Sequence, residues 1–188
     1  MAESMRAIGG KAQDRLCGND ETETLTVKRK IEYRLYPTAK QESRLHHHLR
    51  LHQRLYNAAL QNRRLNYDLL GKSVGYAEQC RALTRLRAWR PAYAELNAQS
   101  GQVTLKRVDL AFHGFFRRLK TGVRSAGYPR FKSLDRYHGW GYKTHGDGWR
   151  LLTSGTMKYG RLRLSGIGVV KLRGGARTPG VPMTGEFS

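Results

Sequence analysis

Acidic residues are scarce in this chain: 14 Asp and Glu stand against 35 Lys and Arg in 188 residues, a formal net charge of +21. Such a surface repels itself until a polyanion neutralises it, which makes nucleic acid the first candidate partner. A membrane surface is the other polyanion, but no stretch approaches the ~20 apolar residues of a spanning helix. The N-terminus also lacks the hydrophobic centre of a secretory signal, so the chain is expected to be soluble and cytoplasmic, without a membrane partner. Cysteine is nearly absent. Cys17 and Cys80 are too few for a disulfide framework or a four-Cys zinc site, which fits a reducing compartment.

Clustered carboxylates are missing too. From Leu25 onward nine acids are scattered between Glu32 and Glu186, with Asp147 in a Gly-Asp-Gly turn signal. Neither a carboxylate set for Mg²⁺, nor a P-loop, nor a Ser/His/Asp arrangement occurs. The chain is therefore expected to bind and not to cut, with no metal and no cofactor of its own. His46, His47, His48 and His52 invite a metal reading, because His48 and His52 are one helical turn apart. No nearby Cys or acidic group completes a ligand set, so they are read as structural or solvated histidines. His113, beside phenylalanines, is read as a helix-face residue.

What is present is enough apolar residue, 39%, for a core. Residues 1–24 lack periodicity and hold more acids than bases, and are expected to be a disordered extension. In 25–37, Leu25, Val27, Ile31, Tyr33 and Leu35 alternate with polar residues as in a half-buried strand, with Arg29 out of pattern. Pro37 ends it. Thr38 and Gln41 then form a capping-box pattern opening a helix that runs to Leu70 and is closed by Gly71. Leu45, Leu49, Tyr56, Leu60 and Tyr67 make one apolar stripe on it, and Leu51, Leu55, Leu65 and Leu69 a second.

Ser73 is expected to cap a shorter helix ending before Pro91. A third helix carries Leu105, Val108, Phe112, Phe115 and Leu119 on one face, widened by Ala111 and Phe116. The segment 38–121 thus reads as helical. After it, 140–144, 149–152, 161–164 and 169–172 are short runs bounded by Gly, as in small twisted sheets or barrels. One strand before the helices cannot form a sheet alone, so it should pair with these. The expected fold is α+β, a small β-barrel-like domain of 25–37 and 122–173 with a helical domain, 38–121, inserted, and a disordered tail over 174–188.

Candidate nucleic-acid contacts follow from charge and residue type. The first long helix offers Arg50, Arg54, Asn57, Arg63 and Arg64, able to reach phosphates and base edges. The third adds Lys106 and, at its end, Arg117, Arg118 and Lys120, cations that also suit the negative end of the helix dipole. Beyond Gly122, Tyr128, Arg130, Phe131 and Lys132 interleave aromatics with cations. Tyr128 and Phe131 either stack on unpaired bases or plug the joint between helices and sheet, and both readings stay open.

Seven short motifs, in order, resemble a known family. They are Arg34-Leu-Tyr-Pro37, Tyr56-Asn57, Gly71-Lys-Ser with Tyr76, Leu83-Thr-Arg-Leu86, Ala111-Phe-His-Gly-Phe-Phe-Arg117, Gly127-Tyr-Pro-Arg-Phe131 and Arg161-Leu-Arg-Leu with Gly168. Together they resemble the N-terminal half of TnpB, the OrfB-type proteins of bacterial insertion sequences, long labelled transposases and related to type V CRISPR effectors. The resemblance implies that the β part is a wedge domain gripping a transposon-derived guide RNA. It implies equally that the helical insertion is a helix-turn-helix-like recognition domain, and adds Arg34, Tyr36, Tyr76 and Gln102 to the candidate contacts, the last two facing the motif beside the DNA target. Where the family can place a Lys, this chain has Ala98. Beyond Gly174 the family continues into a nuclease domain that needs Mg²⁺ and carries structural Zn²⁺, and no such pattern follows here. The chain is expected to be an RNA- and DNA-binding half without its nuclease half. Two alternatives stay open: a segment of an active endonuclease completed by another chain, and a structural RNA-binding protein.

Overall fold

The computed structural model describes residues 4–11, 30–122, 126–152, 159–174 and 181–187. The chain is α+β and divides into two compact units, Met1–Arg44 with Gly141–Ser188, and Leu45–Trp140.

The first unit is built on strands β1 (Ser4–Lys11), β2 (Lys30–Tyr36), β3 (Trp140–Tyr142, whose first residue, Trp140, belongs to the second unit), β4 (Trp149–Leu151), β5 (Tyr159–Leu164), β6 (Gly168–Arg173) and β7 (Val181–Phe187). They form one sheet in the order β3-β7-β1-β2-β6-β5-β4. The strand before the helices does pair with a later one: β2 runs antiparallel to β6, with Leu35 opposite Leu172. Alternation sorts the side chains, so Tyr33, Leu35, Leu162, Leu164, Val170 and Leu172 are buried on one face while their chain neighbours are exposed.

Two segments depart from expectation. Residues 4–11 and 181–187, read as lying outside the fold, form β1 and β7, which pair with each other, and β1 also pairs with β2. Strand pairing uses backbone groups that every non-proline residue carries, so it can recruit segments whose Gly9, Gly10 and Gly185 read as turn signals. Residues 25–29, expected to open the first strand, lie outside the described residues, as do 12–24 and 175–180.

Helix α1 (Ala39–Leu70) starts on the expected capping box. Thr38 N donates to Gln41 Oε1 at 3.0 Å, and Gln41 N to Thr38 Oγ1 at 3.4 Å. Its first turns belong with the sheet, since Gln41 Nε2 donates to the Val169 carbonyl at 2.8 Å and Arg44 Nη1 to that of Gly166 at 3.0 Å. Gly71, at φ 62°, ends it as expected, its N–H donating to the Tyr67 carbonyl at 2.9 Å.

The second unit holds the rest of α1, α2 (Tyr76–Trp89), α3 (Pro91–Ala94) and α4 (Ala98–Lys120). Ser73 does not cap α2; the N-cap is Gly75, without a side-chain bond. Asn97 caps α4, accepting from Ser100 N at 3.1 Å. The core joins Leu55, Tyr56, Ala59 and Leu60 of α1 with Leu83 of α2, Leu105, Val108 and Phe112 of α4, and Tyr137. The apolar stripes outrun it: Leu65, Tyr67, Leu69, Phe116 and Leu119 are exposed. His48 and His52 are buried in this unit, and the His52 ring stacks on Trp140, 5.5 Å between centroids and 10° between planes. Its Nδ1 lies 2.8 Å from Thr104 Oγ1 and its Nε2 3.4 Å from Ser100 Oγ.

Candidate nucleic-acid interface

Strand alternation that buries the leucines of the first unit sends Arg34, Tyr36, Tyr159, Arg161, Arg163, Lys171, Arg173 and Arg150 to the opposite, exposed face. Register then aligns them in rows. Arg34, Arg173 and Tyr159 lie side by side across β2, β6 and β5, and Tyr36, Lys171 and Arg161 form the next row. Val169, Arg163 and Arg150 continue it across β6, β5 and β4. Each tyrosine is matched with a guanidinium 5.7 Å from its ring centre, Arg34 over Tyr36 and Arg173 over Tyr159. Tyr36, Tyr159, Arg161, Lys171 and Arg173, with Leu152, line a groove of about 730 Å³. The one acid on these strands, Glu32, lies 3.5 Å from Lys30.

Like charges directly opposite one another weaken a sheet. Arg34 faces Arg173, Arg161 faces Lys171, and Arg150 faces Arg163. Such an arrangement costs folding energy, which a polyanion laid on this face would offset. Sequence reasoning singled out only Arg34 and Tyr36 here. The Arg-Leu-Arg and Lys-Leu-Arg alternation of β5 and β6 was the available signal, but which residues sit opposite one another depends on pairing between distant strands.

The helical unit gathers a second set. Arg64 of α1 lies between two aromatics of the loop after α4, 5.5 Å from the Tyr128 ring centre and 5.6 Å from that of Phe131. Tyr128 also packs on Phe115 at 4.7 Å and Phe112 at 5.6 Å, so for it packing and partial exposure coexist. Phe131 is 48% exposed. Arg117, Lys120 and Arg130 are exposed, as is Arg118, whose Nη2 donates to the Gly127 carbonyl at 3.3 Å. Arg50 and Arg54 are exposed on α1.

Two predicted contacts are engaged inside the fold instead. Arg63 is buried: its Nε donates to Gln79 Oε1 at 2.9 Å and its Nη2 to Asp109 Oδ1 at 3.0 Å. The carboxylate across the helix interface draws it inward. Asn57 is bound to backbone, its Nδ2 donating to the Lys132 carbonyl and its Oδ1 accepting from Lys132 N, both at 2.9 Å. Gln53 reaches the same carbonyl at 2.6 Å. These three bonds pin the aromatic loop to α1. Lys132 itself is half-buried, its ammonium 5.3 Å from the Tyr56 ring centre.

Tyr76 and Gln102 are half-buried. Lys106, exposed, places its ammonium 5.2 Å from the Tyr76 ring centre and 2.8 Å from Asp109 Oδ2. Burial, with Cys80 and Asp109 nearby, pushes the Tyr76 phenol up to about 12, so it stays a neutral donor at any physiological pH. Burial alone would raise the Asp109 carboxyl, but hydrogen bonds and charge from Lys106 and Arg63 outweigh it and hold the pKa below the ordinary value. Among the described residues there is no group of three or more His, Cys, Asp or Glu that could hold a metal ion. Among the same residues no helix is long and apolar enough to cross a membrane.

Residues 26–72 match the family model of a helix-turn-helix domain of the OrfB IS605 type. The described part of that match is β2, α1 and the start of the turn, while the helix that follows the turn, α2, lies just past its end. No curated protein matches the chain. The match supports a DNA-binding module of the kind carried by insertion-sequence transposases.

Proposed function

We propose that this protein is the nucleic-acid-binding half of a TnpB-like, transposon-encoded, RNA-guided DNA endonuclease, holding a transposon-derived RNA and its DNA target without cutting by itself. The sheet face carries the proposal. Arginines and lysine set opposite one another across β2, β6, β5 and β4 cost folding energy that a phosphate backbone returns, and the two tyrosines among them suit unpaired bases. The helix-turn-helix match on β2 and α1 supports the DNA part of the reading, and the seven ordered motifs support the link to RNA guidance.

The test is to purify the protein from cells carrying the element and sequence the RNA that comes with it. Enrichment of a transcript from the element's end is expected; ribosomal RNA alone would favour a structural RNA-binding protein and sink the guided reading. Incubating the protein, that RNA, target DNA and Mg²⁺ should leave the DNA intact, and cleavage would overturn the non-cutting part of the proposal.

A further inference from the structure

In the helical unit, a hydrogen-bonded chain runs from the interior to the surface. The Ala59 carbonyl accepts from Gln79 Nε2 at 2.8 Å, and Gln79 Oε1 accepts from Arg63 Nε at 2.9 Å. The Arg63 guanidinium lies 5.2 Å from the Phe112 ring centre and donates to Asp109 Oδ1 at 3.0 Å. Asp109 Oδ2 in turn accepts from Lys106 Nζ at 2.8 Å, with His113 Nε2 3.5 Å from the same oxygen. Arg63 and Asp109 have side chains 8% and 10% exposed, whereas that of Lys106 is 47% exposed. The chain therefore ends on an ammonium held from two sides, by a carboxylate and by the Tyr76 ring.

A buried ion pair of this kind is a poor source of stability, because apolar side chains of similar volume often serve as well or better. What the cluster does supply is a surface lysine with one place to be. A free lysine acts toward DNA as a mobile counter-ion, attracted to any phosphate. A lysine fixed in position can instead favour the one base edge that presents acceptors at that position, such as the O6 and N7 of guanine.

We propose that Asp109 is a positioning residue, anchored by Arg63, that holds Lys106 beside Tyr76 as a sequence-discriminating contact to duplex DNA. The inference rests on the reading of this unit as a DNA-binding module. Replacing Asp109 alone would strand Arg63 in the interior, so the informative variant is the pair Arg63→Met with Asp109→Leu, which removes both buried charges and leaves Lys106 beside the Tyr76 ring without its carboxylate. Lys106→Ala removes the contact at an exposed site and leaves the buried Arg63–Asp109 pair in place.

The experiment selects bound sequences from a duplex DNA pool with a randomised segment, at several salt concentrations, alongside melting of each protein. The parent should enrich a preferred base at one or more positions. Lys106→Ala should relax one of these by about tenfold or more. The Arg63→Met/Asp109→Leu pair should relax the same position to a similar degree while melting within several degrees of the parent, its one cost being the buried Gln79 Oε1 that loses its Arg63 donor. Adding Lys106→Ala to the pair should then relax it no further. A merely structural role predicts the reverse, a lower melting temperature with the preference kept. An unchanged preference in either Lys106→Ala or the Arg63/Asp109 pair overturns the proposal, and so does a parent that binds every duplex alike. Failure of the parent to bind any duplex defeats the reading beneath it, and the proposal with it.

Discussion

Changing Arg161, Lys171 and Arg173 together to Gln separates what the sheet face does for binding from what it does for folding. All three are exposed, and they account for two of the like-charge pairs across the strands, Arg34 with Arg173 and Arg161 with Lys171. If each cation neutralises one phosphate of a single-stranded RNA, each contributes about 0.7 to the slope of log affinity against log salt, so the triple change should flatten that slope by about 2. Near 1 M salt, where the screening length is only about 3 Å, parent and variant should bind alike. At 0.1 M salt the lost slope corresponds to an affinity about a hundredfold weaker.

Stability should move the other way. Relief of two opposed pairs is worth about 0.2–1 kcal/mol each, which for a chain of this length raises the melting temperature by roughly 1–8 °C. Fluorescence anisotropy of a labelled unstructured RNA across a KCl series gives the slope, and circular dichroism gives the melting point. A variant that melts lower and keeps the parental slope would refute the reasoning, because the cations would then be supporting the fold and not the ligand.

The buried imidazole of His52 has its pKa driven well below 6.5, first by desolvation and then by His48 and Arg107. The unfolded chain takes up that proton near 6.5 and the fold does not, so stability is full above this pH and falls by up to about 1.4 kcal/mol per unit below it; His52→Phe should flatten urea-measured stability between pH 6.5 and the onset of carboxylate titration. Asn57→Ala removes both bonds to the Lys132 backbone and should cost about 2 kcal/mol. Faster hydrogen exchange at Lys132 would accompany that loss, whereas weaker nucleic-acid binding at unchanged melting temperature would return Asn57 to the contact surface. Arg117→Ala with Arg118→Ala should weaken RNA binding while shifting stability within about 0.5 kcal/mol per site, since both are exposed; equal loss of both properties would make the pair structural.

The elements legible in the sequence are those specified by near neighbours. The capping box of Thr38 and Gln41, the stop at Gly71 and the α4 stripe through Leu105, Val108, Phe112 and Phe115 each follow from residues a few positions apart. What could not be read depends on distant partners. Arg63 and Arg64 are adjacent and chemically identical, yet Asp109 draws one inside while Tyr128 and Phe131 receive the other. Asn57 has the composition of a base-reading side chain and is occupied by the Lys132 backbone instead. The strands β1 and β7 lack alternation strong enough to announce themselves, because much of their contribution is backbone pairing.

The two units also hold their cations differently, and the difference bears on what each can recognise. On β2, β4, β5 and β6, arginines and lysine face one another, and Glu32 is the one acid on these four strands. Cations so placed attract any phosphate chain and give affinity that falls steeply with salt, without preference for sequence. In the helical unit Arg64 is held by two rings, and Lys106 by a ring and a carboxylate. Part of their charge is already answered, so they add less to bulk attraction, but each occupies a defined position. A protein reading a short DNA motif needs such placed contacts for the motif and unplaced charge for the backbone. Salt dependence should therefore follow sheet substitutions, and base preference should follow substitutions around Asp109.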